Sequence, residues 1–210
     1  FKEAIELLIS GNDSVYSAII VTITVSSWSI LISLILGLPL GFLLGYYQFK
    51  GKTVIKTIVD TFLAFPTVVI GLLVYTTLSQ AGAFGEYNLL FTQKAIIIGQ
   101  IFLGLPIIIA LTAAQVESTD KRLYLSLKGL GAKPYQILLT TLVEARFGLM
   151  TAAMTAYGRI ITEIGISMMV GGNIKYHTRT ITTAISLETG KGEFETIIQL
   201  LSLQISVRVL

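Results

Sequence analysis

The stretch Tyr16–Tyr47, YSAIIVTITVSSWSILISLILGLPLGFLLGYY, decides the fold class of this chain because it carries no acidic or basic side chain over 32 residues. A helix of that length is about 48 Å long at a rise of about 1.5 Å per residue. The hydrocarbon core of a bilayer is about 30 Å thick and is crossed by about 20 apolar residues. The stretch therefore predicts a transmembrane helix that tilts or protrudes from the membrane.

The rest of the chain is similarly apolar. Of its 210 residues, 53% are hydrophobic and only 13% are charged, whereas soluble domains contain about 25% charged residues. Further apolar runs predict helical spans at about 54–78, 94–114, 135–158 and 194–210, and residues 1–13 predict an interfacial amphipathic helix. The less apolar segment 159–192, broken at Gly171-Gly172-Asn173, is either re-entrant or part of a further span. The sequence thus predicts an all-α polytopic membrane protein with five or six transmembrane helices in one domain, residues 1–210.

Lysine and arginine in the loops predict the orientation of these spans. Loop 48–56 carries three lysines and segment 115–134 carries four basic residues, whereas 79–94 has only Lys94. Short cytoplasmic loops are enriched in lysine and arginine. The first two loops are therefore predicted to be cytoplasmic, which places the N-terminus outside and, with five spans, the C-terminus inside.

Several function classes are excluded by residues that the sequence lacks. It has no cysteine, which excludes disulfides and thiolate metal sites, and its single histidine, His177, excludes a multi-histidine metal site. It has no G-x-x-x-x-G-K-[ST] phosphate loop, so the chain is not itself an ATPase. The net charge of +3, spread over loops, gives no indication of nucleic-acid binding. We find no catalytic constellation and expect no cofactor or metal in this chain.

A short basic segment between the third and fourth predicted spans indicates a docking site. It reads Leu125-Ser126-Leu127-Lys128-Gly129-Leu130-Gly131-Ala132-Lys133-Pro134, and Leu142-Val143-Glu144-Ala145-Arg146-Phe147-Gly148-Leu149 follows. These two runs resemble the coupling loop of ABC-importer permeases, in which a Gly-Ala pair precedes an L-P-x-A-R-P-G-L-like run. Here Leu125-Ser126-Leu127 replaces the usual Glu-Ala-Ala, and Val143 and Phe147 stand where prolines are common.

The resemblance implies that residues 117–134 couple the chain to a cytoplasmic ATPase. The residues expected to do so are Arg122, Lys128, Gly129, Gly131, Ala132, Lys133 and Pro134. The three basic side chains can offer charge contacts to the ATPase. Gly129 and Gly131 permit a tight turn, and Pro134 can start the next helix.

Small residues and prolines inside the spans indicate close packing and kinks. Gly37, Gly41 and Gly45 form a smooth stripe that lets another helix backbone approach. That helix belongs either to the same chain or to a dimer or gate contact. Proline removes a backbone hydrogen bond and kinks a helix, and three prolines fall inside predicted spans: Pro39, Pro66 and Pro106.

Ionisable groups inside membrane spans usually face a partner or a cavity. Asp60 lies near the cytoplasmic end of the second span, where we expect it to snorkel or cap. Glu144 and Arg146 are two apart on a helix and cannot face each other, so each is expected to find a partner elsewhere. Arg159 and Glu163 are four apart and can pair on one face.

Hydroxyl side chains around the Arg159–Glu163 pair favour a path for a small oxyanion. Hydroxyls and backbone amides can hold an oxyanion, and few cations leave it free to move on. The residues predicted to line this path are Arg159, Thr162, Glu163, Ser167, Arg179 and Thr180. Glu188 and Glu193 lie in a polar stretch that reads as a solvated loop.

The C-terminal third has a more specific resemblance. The run Gly158–Asn173, GRIITEIGISMMVGGN, resembles the G-R-x-x-x-E-x-G-x-x-x-x-x-G-G-N region of molybdate and tungstate permeases. The run Thr178–Ile185, TRTITTAI, looks like the continuation of that region, and Phe65–Leu72, FPTVVIGL, is most similar to the tungstate branch. The resemblance covers nearly the whole chain from about Ser14.

By this resemblance the chain is a tungstate permease with the type I ABC importer fold. It implies a pathway along the axis of two copies, a cytoplasmic ATPase dimer that binds ATP and magnesium, and an extracytoplasmic oxyanion-binding protein. It also implies that the chain lies among lipids in the inner membrane of a prokaryote. The alternatives are a molybdate or sulfate ABC permease and a self-sufficient secondary carrier. A carrier would be expected to have mid-membrane coupling carboxylates and often an internal repeat.

Overall fold

The computed structural model describes residues 13–119 and 121–192, without the side chains of 121–124. Within these residues the chain forms nine α-helices and one 3-10 turn, and no strand occurs in them. The helices are α1 Asp13–Tyr46, α2 Lys52–Ala64, α3 Thr67–Leu78, α4 Gln93–Glu117, α5 Lys121–Gly129, α6 Pro134–Glu144, α7 Arg146–Ile161, α8 Gly165–Gly171 and α9 Ile181–Lys191. The predicted all-α class is confirmed.

Helices α1 and α4 form the centre of the bundle. With 34 and 25 residues and mean hydropathies of 2.3 and 2.4 in their most apolar windows, each is long and apolar enough to cross a bilayer. They confirm the spans predicted at 16–47 and 94–114. Helix α4 packs against α1 along its length and also contacts α2, α3, α7 and α8.

The glycine stripe on α1 packs against α4. A Cβ atom on Gly41 would lie 2.7 Å from the carbonyl oxygen of Ile109, and one on Gly45 would lie 2.7 Å from that of Ala113. A Cβ atom on Gly37 would lie 2.8 Å from the Ile108 side chain. Of the two interpretations left open by the sequence, packing within the chain is therefore confirmed.

The predicted second span, 54–78, is two helices rather than one. Helices α2 and α3 meet at an angle of 99° at Phe65-Pro66. Phe65 has φ −67° and ψ 132°, the extended conformation that a following proline imposes. Pro66 then begins the next helix, since its carbonyl accepts from the N–H groups of Val69 and Ile70 at 2.9 and 3.2 Å. Pro39 and Pro106, in contrast, lie inside continuous helices.

The predicted fourth span, 135–158, is also divided. Helices α6 and α7 meet at 58° at Ala145. The Arg146 guanidinium donates to the carbonyl of Val143 at 3.3 Å and lies 4.7 Å from the Phe147 ring centre. The contacts of Arg146 are thus local, and Glu144 is exposed and has no partner among the described residues. The partners expected elsewhere for these two charges are not found in the described part of the chain.

Two short helices occupy the segment that the sequence left open. Helix α8 ends at the predicted glycine break, where Gly172 has φ 70°, and α9 begins after Thr180. Glu188 lies in α9, is 9% exposed and pairs with Lys191 at 3.1 Å, so the expectation of a solvated loop there was wrong. Two long helices and two bent pairs give up to four spans in the described residues. The predicted helix at 1–13, except Asp13, and the span at 194–210 lie outside them.

Candidate functional site

The coupling segment is a short helix closed by a tight backbone turn. At the end of α5 the Ala132 N–H donates to the carbonyl of Leu127 at 3.0 Å, and the Gly131 N–H donates to that of Lys128 at 3.1 Å. This paired pattern is a Schellman motif, which requires a left-handed residue at the position of Gly131, and Gly131 has φ 76°. Gly129 is the last residue of the helix and has no positive φ, so only one of the two predicted turn glycines needs this freedom.

The turn leads directly into the next helix. Pro134 is the first residue of α6, as predicted, and the Lys133 N–H donates to the Gln136 side chain at 2.7 Å. The segment presents an exposed surface in which Leu130 is 84% exposed and Leu125 is 64% exposed. Lys128 and Lys133 are exposed beside them. The side chain of Arg122 lies outside the described residues.

Three charged residues join the coupling segment to α2. Glu117, the last residue of α4, accepts from Lys52 at 2.9 Å and from Lys56 at 2.6 Å. The Lys52 ammonium group also donates to the carbonyl of Gly45 at 3.2 Å and is largely buried. Loop 48–56 and segment 115–134 therefore lie at the same end of the bundle, as the lysine distribution predicted. The sequence contained one signal of this cluster, the i,i+4 spacing of the two lysines, but nothing that pointed to Glu117.

The predicted Arg159–Glu163 pair is present. The Arg159 guanidinium lies 3.8 Å from one carboxylate oxygen of Glu163. The other oxygen accepts the backbone N–H of Ile166 at 3.2 Å, at the start of α8. The Glu163 side chain is only 2% exposed, whereas that of Arg159 is 48% exposed. A buried carboxylate thus lies beside a half-exposed arginine.

The break between α2 and α3 lies beside this pair. A Cβ atom on Gly165 would lie 3.3 Å from Glu163 Oε1 and 3.4 Å from Thr67 Oγ1. Thr67, the first residue of α3, is therefore a neighbour of the ion pair that sequence reasoning missed. The sequence Phe65-Pro66-Thr67 predicted a kink. Only the packed structure shows that this kink lies close to Glu163.

The threonines after the glycine break hold the chain together. Thr180 accepts the N–H of Thr183 at 3.3 Å as the cap of α9, and its hydroxyl lies 2.9 Å from that of Thr182. The Thr182 hydroxyl donates to the carbonyl of Glu163 at 3.1 Å, and Thr22 on α1 accepts the Ile181 N–H at 2.9 Å. These threonines are buried, so within one chain the Thr180 hydroxyl is an internal helix cap.

The remaining predicted path residues have different surroundings. Thr162 is half-buried and donates to the carbonyl of Gly158 at 2.8 Å. Arg179 is half-buried and donates to the Asn173 side chain at 3.2 Å. Ser167 is fully buried on α8, and its hydroxyl has no hydrogen-bond partner among the described residues. The structure therefore brings Arg159, Glu163 and the threonine cluster together and holds Arg179 in a separate loop.

Comparison with known proteins decides the family. The family described as "Binding-protein-dependent transport system inner membrane component" matches residues 37–199. The chain belongs to this family. A permease of this kind is a membrane component of an ABC transporter that works with ATPase and substrate-binding partners. Membership confirms the predicted class and decides against a self-sufficient carrier.

Individual relatives agree with this assignment. The permease is 51% identical over 194 residues to the tungstate uptake system permease protein TupB of Campylobacter jejuni, covering 92% of this chain and 81% of that protein. It is 27% identical over 177 residues to the molybdenum transport system permease protein ModB of Azotobacter vinelandii, covering 80% and 78%.

Among solved structures, a chain of the MetNI methionine ABC transporter in an inward-facing conformation matches with a TM-score of 0.75. The match covers 95% of the permease and 92% of that chain at 19% identity, and it concerns the fold alone. The predicted type I importer fold is confirmed.

Proposed function

We propose that this permease forms the membrane pathway of an ATP-driven importer for tungstate. The observation that carries the proposal is the 51% identity to a tungstate uptake permease, against 27% to a molybdenum permease over a similar length. The Phe65–Leu72 run, which pointed to the tungstate branch, has Thr67 beside the Arg159–Glu163 pair, and the Gly158–Asn173 run, which resembles molybdate and tungstate permeases, contains that pair. Molybdate and sulfate remain the alternative substrates.

The assembly that we propose contains two copies of the chain around a shared pathway in the inner membrane of a prokaryote, surrounded by lipid. An extracytoplasmic binding protein delivers the oxyanion, and two ATPase subunits bind the segments 117–134. ATP and magnesium belong to the ATPase, and this chain holds no cofactor and binds no nucleic acid. The exposed surface at Leu125, Lys128, Leu130 and Lys133 supports the ATPase contact because it combines apolar and basic side chains.

Movement of the coupling segment can reach the pathway through a short series of contacts. The segment continues from Glu117, which holds Lys52 and Lys56 on α2. Helix α2 ends at the Pro66 break, and α3 begins next to Glu163. Rotation of α2 with the coupling segment would therefore change the surroundings of the ion pair, as alternating access requires.

Arg159 is the residue that we propose to contact the oxyanion. A guanidinium matches the geometry of an oxyanion with several fixed donors. Its pairing with Glu163 offsets part of the positive charge, so that the ion is bound weakly enough to leave. Arg179 is hydrogen-bonded to Asn173. We propose that Arg179 contacts the oxyanion at the entrance of the pathway rather than beside the Arg159–Glu163 pair.

The test is reconstitution of the permease with its ATPase and binding protein in lipid nanodiscs and vesicles. We expect tungstate-loaded binding protein to stimulate ATP hydrolysis, and uptake of tungstate into vesicles to require ATP. The same binding protein loaded with molybdate or sulfate serves as the control. Equal stimulation by all three oxyanions would contradict tungstate selectivity, and uptake without ATP would contradict the importer itself.

A further inference from the structure

An apolar groove lies between the C-terminal end of α1 and α2, at the lysine-rich end of the bundle. Its volume is about 550 Å³, within the range of about 300–1,000 Å³ typical of small-molecule sites. The side chains that line it are largely apolar and include Leu40, Leu43, Tyr47, Phe49, Ile55 and Val59. Several of them are exposed, among them Tyr47 at 51% and Leu40 at 49%.

An exposed lysine lies next to the groove lining in the sequence. Lys50 directly follows the lining residue Phe49, is exposed and has no charge partner among the described residues. The two other lysines of the loop, Lys52 and Lys56, are already bound to Glu117. The groove is therefore lined largely by apolar side chains, and the residue after its lining residue Phe49 is an exposed lysine that is not bound to Glu117.

We propose that the groove binds an acyl chain of an anionic phospholipid whose phosphate contacts Lys50. An amphipathic ligand with an apolar tail and an anionic head matches both parts of the site. Anionic lipids of the cytoplasmic leaflet attract lysines at the membrane surface, and the lysine distribution assigns this end of the bundle to that leaflet. Tyrosines such as Tyr47 are enriched at the level of the lipid headgroups.

Because of the position of the groove, a bound lipid would affect the bend between α1 and α2, which we call the α1–α2 elbow. It joins the end of α1 to α2, directly beside the contacts of Lys52 with Gly45 and Glu117. A lipid that fills the groove would hold the α1–α2 elbow in place. The lipid composition of the membrane could thereby affect the helix that leads to the Pro66 break.

A tryptophan reporter can test the site because the chain contains a single tryptophan, Trp28. In the full-length chain carrying Trp28→Phe and Tyr47→Trp, fluorescence quenching is measured in nanodiscs with bromine-labelled phosphatidylglycerol or phosphatidylcholine. We expect phosphatidylglycerol to associate about fivefold more strongly, the effect of about one lysine near an anionic headgroup. The unaltered chain, with Trp28 54% exposed on α1, reports contact with bulk lipid and should show no such preference.

Two pairs of variants locate the lipid. In the reporter chain, Lys50→Gln is expected to abolish the preference for phosphatidylglycerol, whereas Lys94→Gln at the opposite end should leave it unchanged. Val59→Phe fills the groove and should reduce quenching, whereas Val54→Phe, on the same helix but outside the groove, should not.

Two results would overturn the proposal. Equal quenching by both lipids at Tyr47→Trp would show that no headgroup is selected there. Quenching far below that of Trp28 would show that protein covers the groove, either residues 193–210 of the same chain or a second copy.

Discussion

Lys56 lies 2.6 Å from Glu117, Nζ to Oε2, and this contact joins α2, the first helix of a broken pair, to the first residue of the coupling segment. Lys52 binds the other oxygen of the same carboxylate at 2.9 Å and also the carbonyl of Gly45. The Lys52 side chain, on α2, therefore contacts both α1 and α4. Exposed ion pairs contribute little stability, but the largely buried Lys52 makes this cluster more important, because a buried charge without a partner is strongly unfavourable.

Replacing Glu117 by glutamine is expected to weaken both stability and coupling. Glu117→Gln leaves Lys52 without its counter-charge, which should lower the free energy of unfolding by about 1–3 kcal/mol. In the assembled importer we expect more ATP to be hydrolysed per tungstate ion transported, because α2 no longer follows the coupling segment. Thermal unfolding and the ratio of ATP hydrolysed to ion transported measure the two effects. Glu144→Gln, at an exposed glutamate without a described partner, is the control, and an equal effect there would contradict the role of Glu117.

In the coupling turn, substitution of Gly131 should impair transport, whereas substitution of Gly129 should not. Gly131 has φ 76°, a conformation that costs a residue with a side chain about 1–2 kcal/mol. We expect Gly131→Asp to abolish ATP-dependent uptake while the protein still inserts into the membrane, and Gly131→Ala to reduce uptake partially.

Gly129 is the matched control for this prediction because it lies in the helix and, among the described residues beyond its own helical turn, no atom lies within 4 Å of a Cβ atom built on it. Gly129→Ala should therefore leave uptake close to normal. If alanine at both positions has the same effect, the left-handed turn does not explain the requirement for glycine.

The sequence predicted much of the architecture because membrane-spanning helices are formed by continuous runs of apolar residues. The bounds of α1 and α4, the turn before Pro134 and the break at Gly171-Gly172 followed from hydropathy, proline and glycine. Hydropathy did not show where the spans divide. The run 54–78 stays apolar around Pro66, and Glu144 and Arg146, which flank the break at Ala145, were interpreted as charges inside one continuous span. A proline inside a span predicts a kink, but its angle depends on the helices that surround it.

The candidate site was predicted less completely, because local spacing reveals only local partners. The Arg159–Glu163 pair follows from an i,i+4 relation, whereas Lys56 and Glu117 are 61 residues apart and meet only through packing. The threonines were read as one hydroxyl-rich path. Their hydrogen bonds to backbone groups, such as that of Thr182 to Glu163, depend on how the chain folds back after α8.

The glycine stripe predicts graded effects on stability. A Cβ atom on Gly41 would meet the rigid backbone oxygen of Ile109 at 2.7 Å, whereas one on Gly37 would meet the side chain of Ile108 at 2.8 Å. Rotation of the Ile108 side chain can relieve its closest contact, at Cγ2, although not the contact of its Cβ atom at 3.0 Å. A backbone carbonyl cannot rotate away at all, so Gly41→Ala should be the more damaging change. We expect it to lower stability by about 1–3 kcal/mol and Gly37→Ala to have a clearly smaller effect, as measured by thermal unfolding in detergent. The reverse order would show that α1 and α4 do not approach as described.

Glu163 should matter more for transport than Glu188, and the kind of substitution should separate its two roles. Glu163→Gln keeps an oxygen that can accept the Ile166 N–H but removes the charge that lies 3.8 Å from the Arg159 guanidinium. We expect tungstate uptake to fall about fivefold, the effect of losing about 1 kcal/mol from a half-exposed ion pair, with little loss of stability. Glu163→Ala removes both contacts and should also lower the unfolding temperature. Glu188→Gln affects only a pair with Lys191 in α9 and is the matched control. Uptake kinetics with the assembled importer and thermal unfolding of each variant distinguish these outcomes. Equal effects of Glu163→Gln and Glu188→Gln on uptake would show that the buried carboxylate does not position Arg159 for the ion.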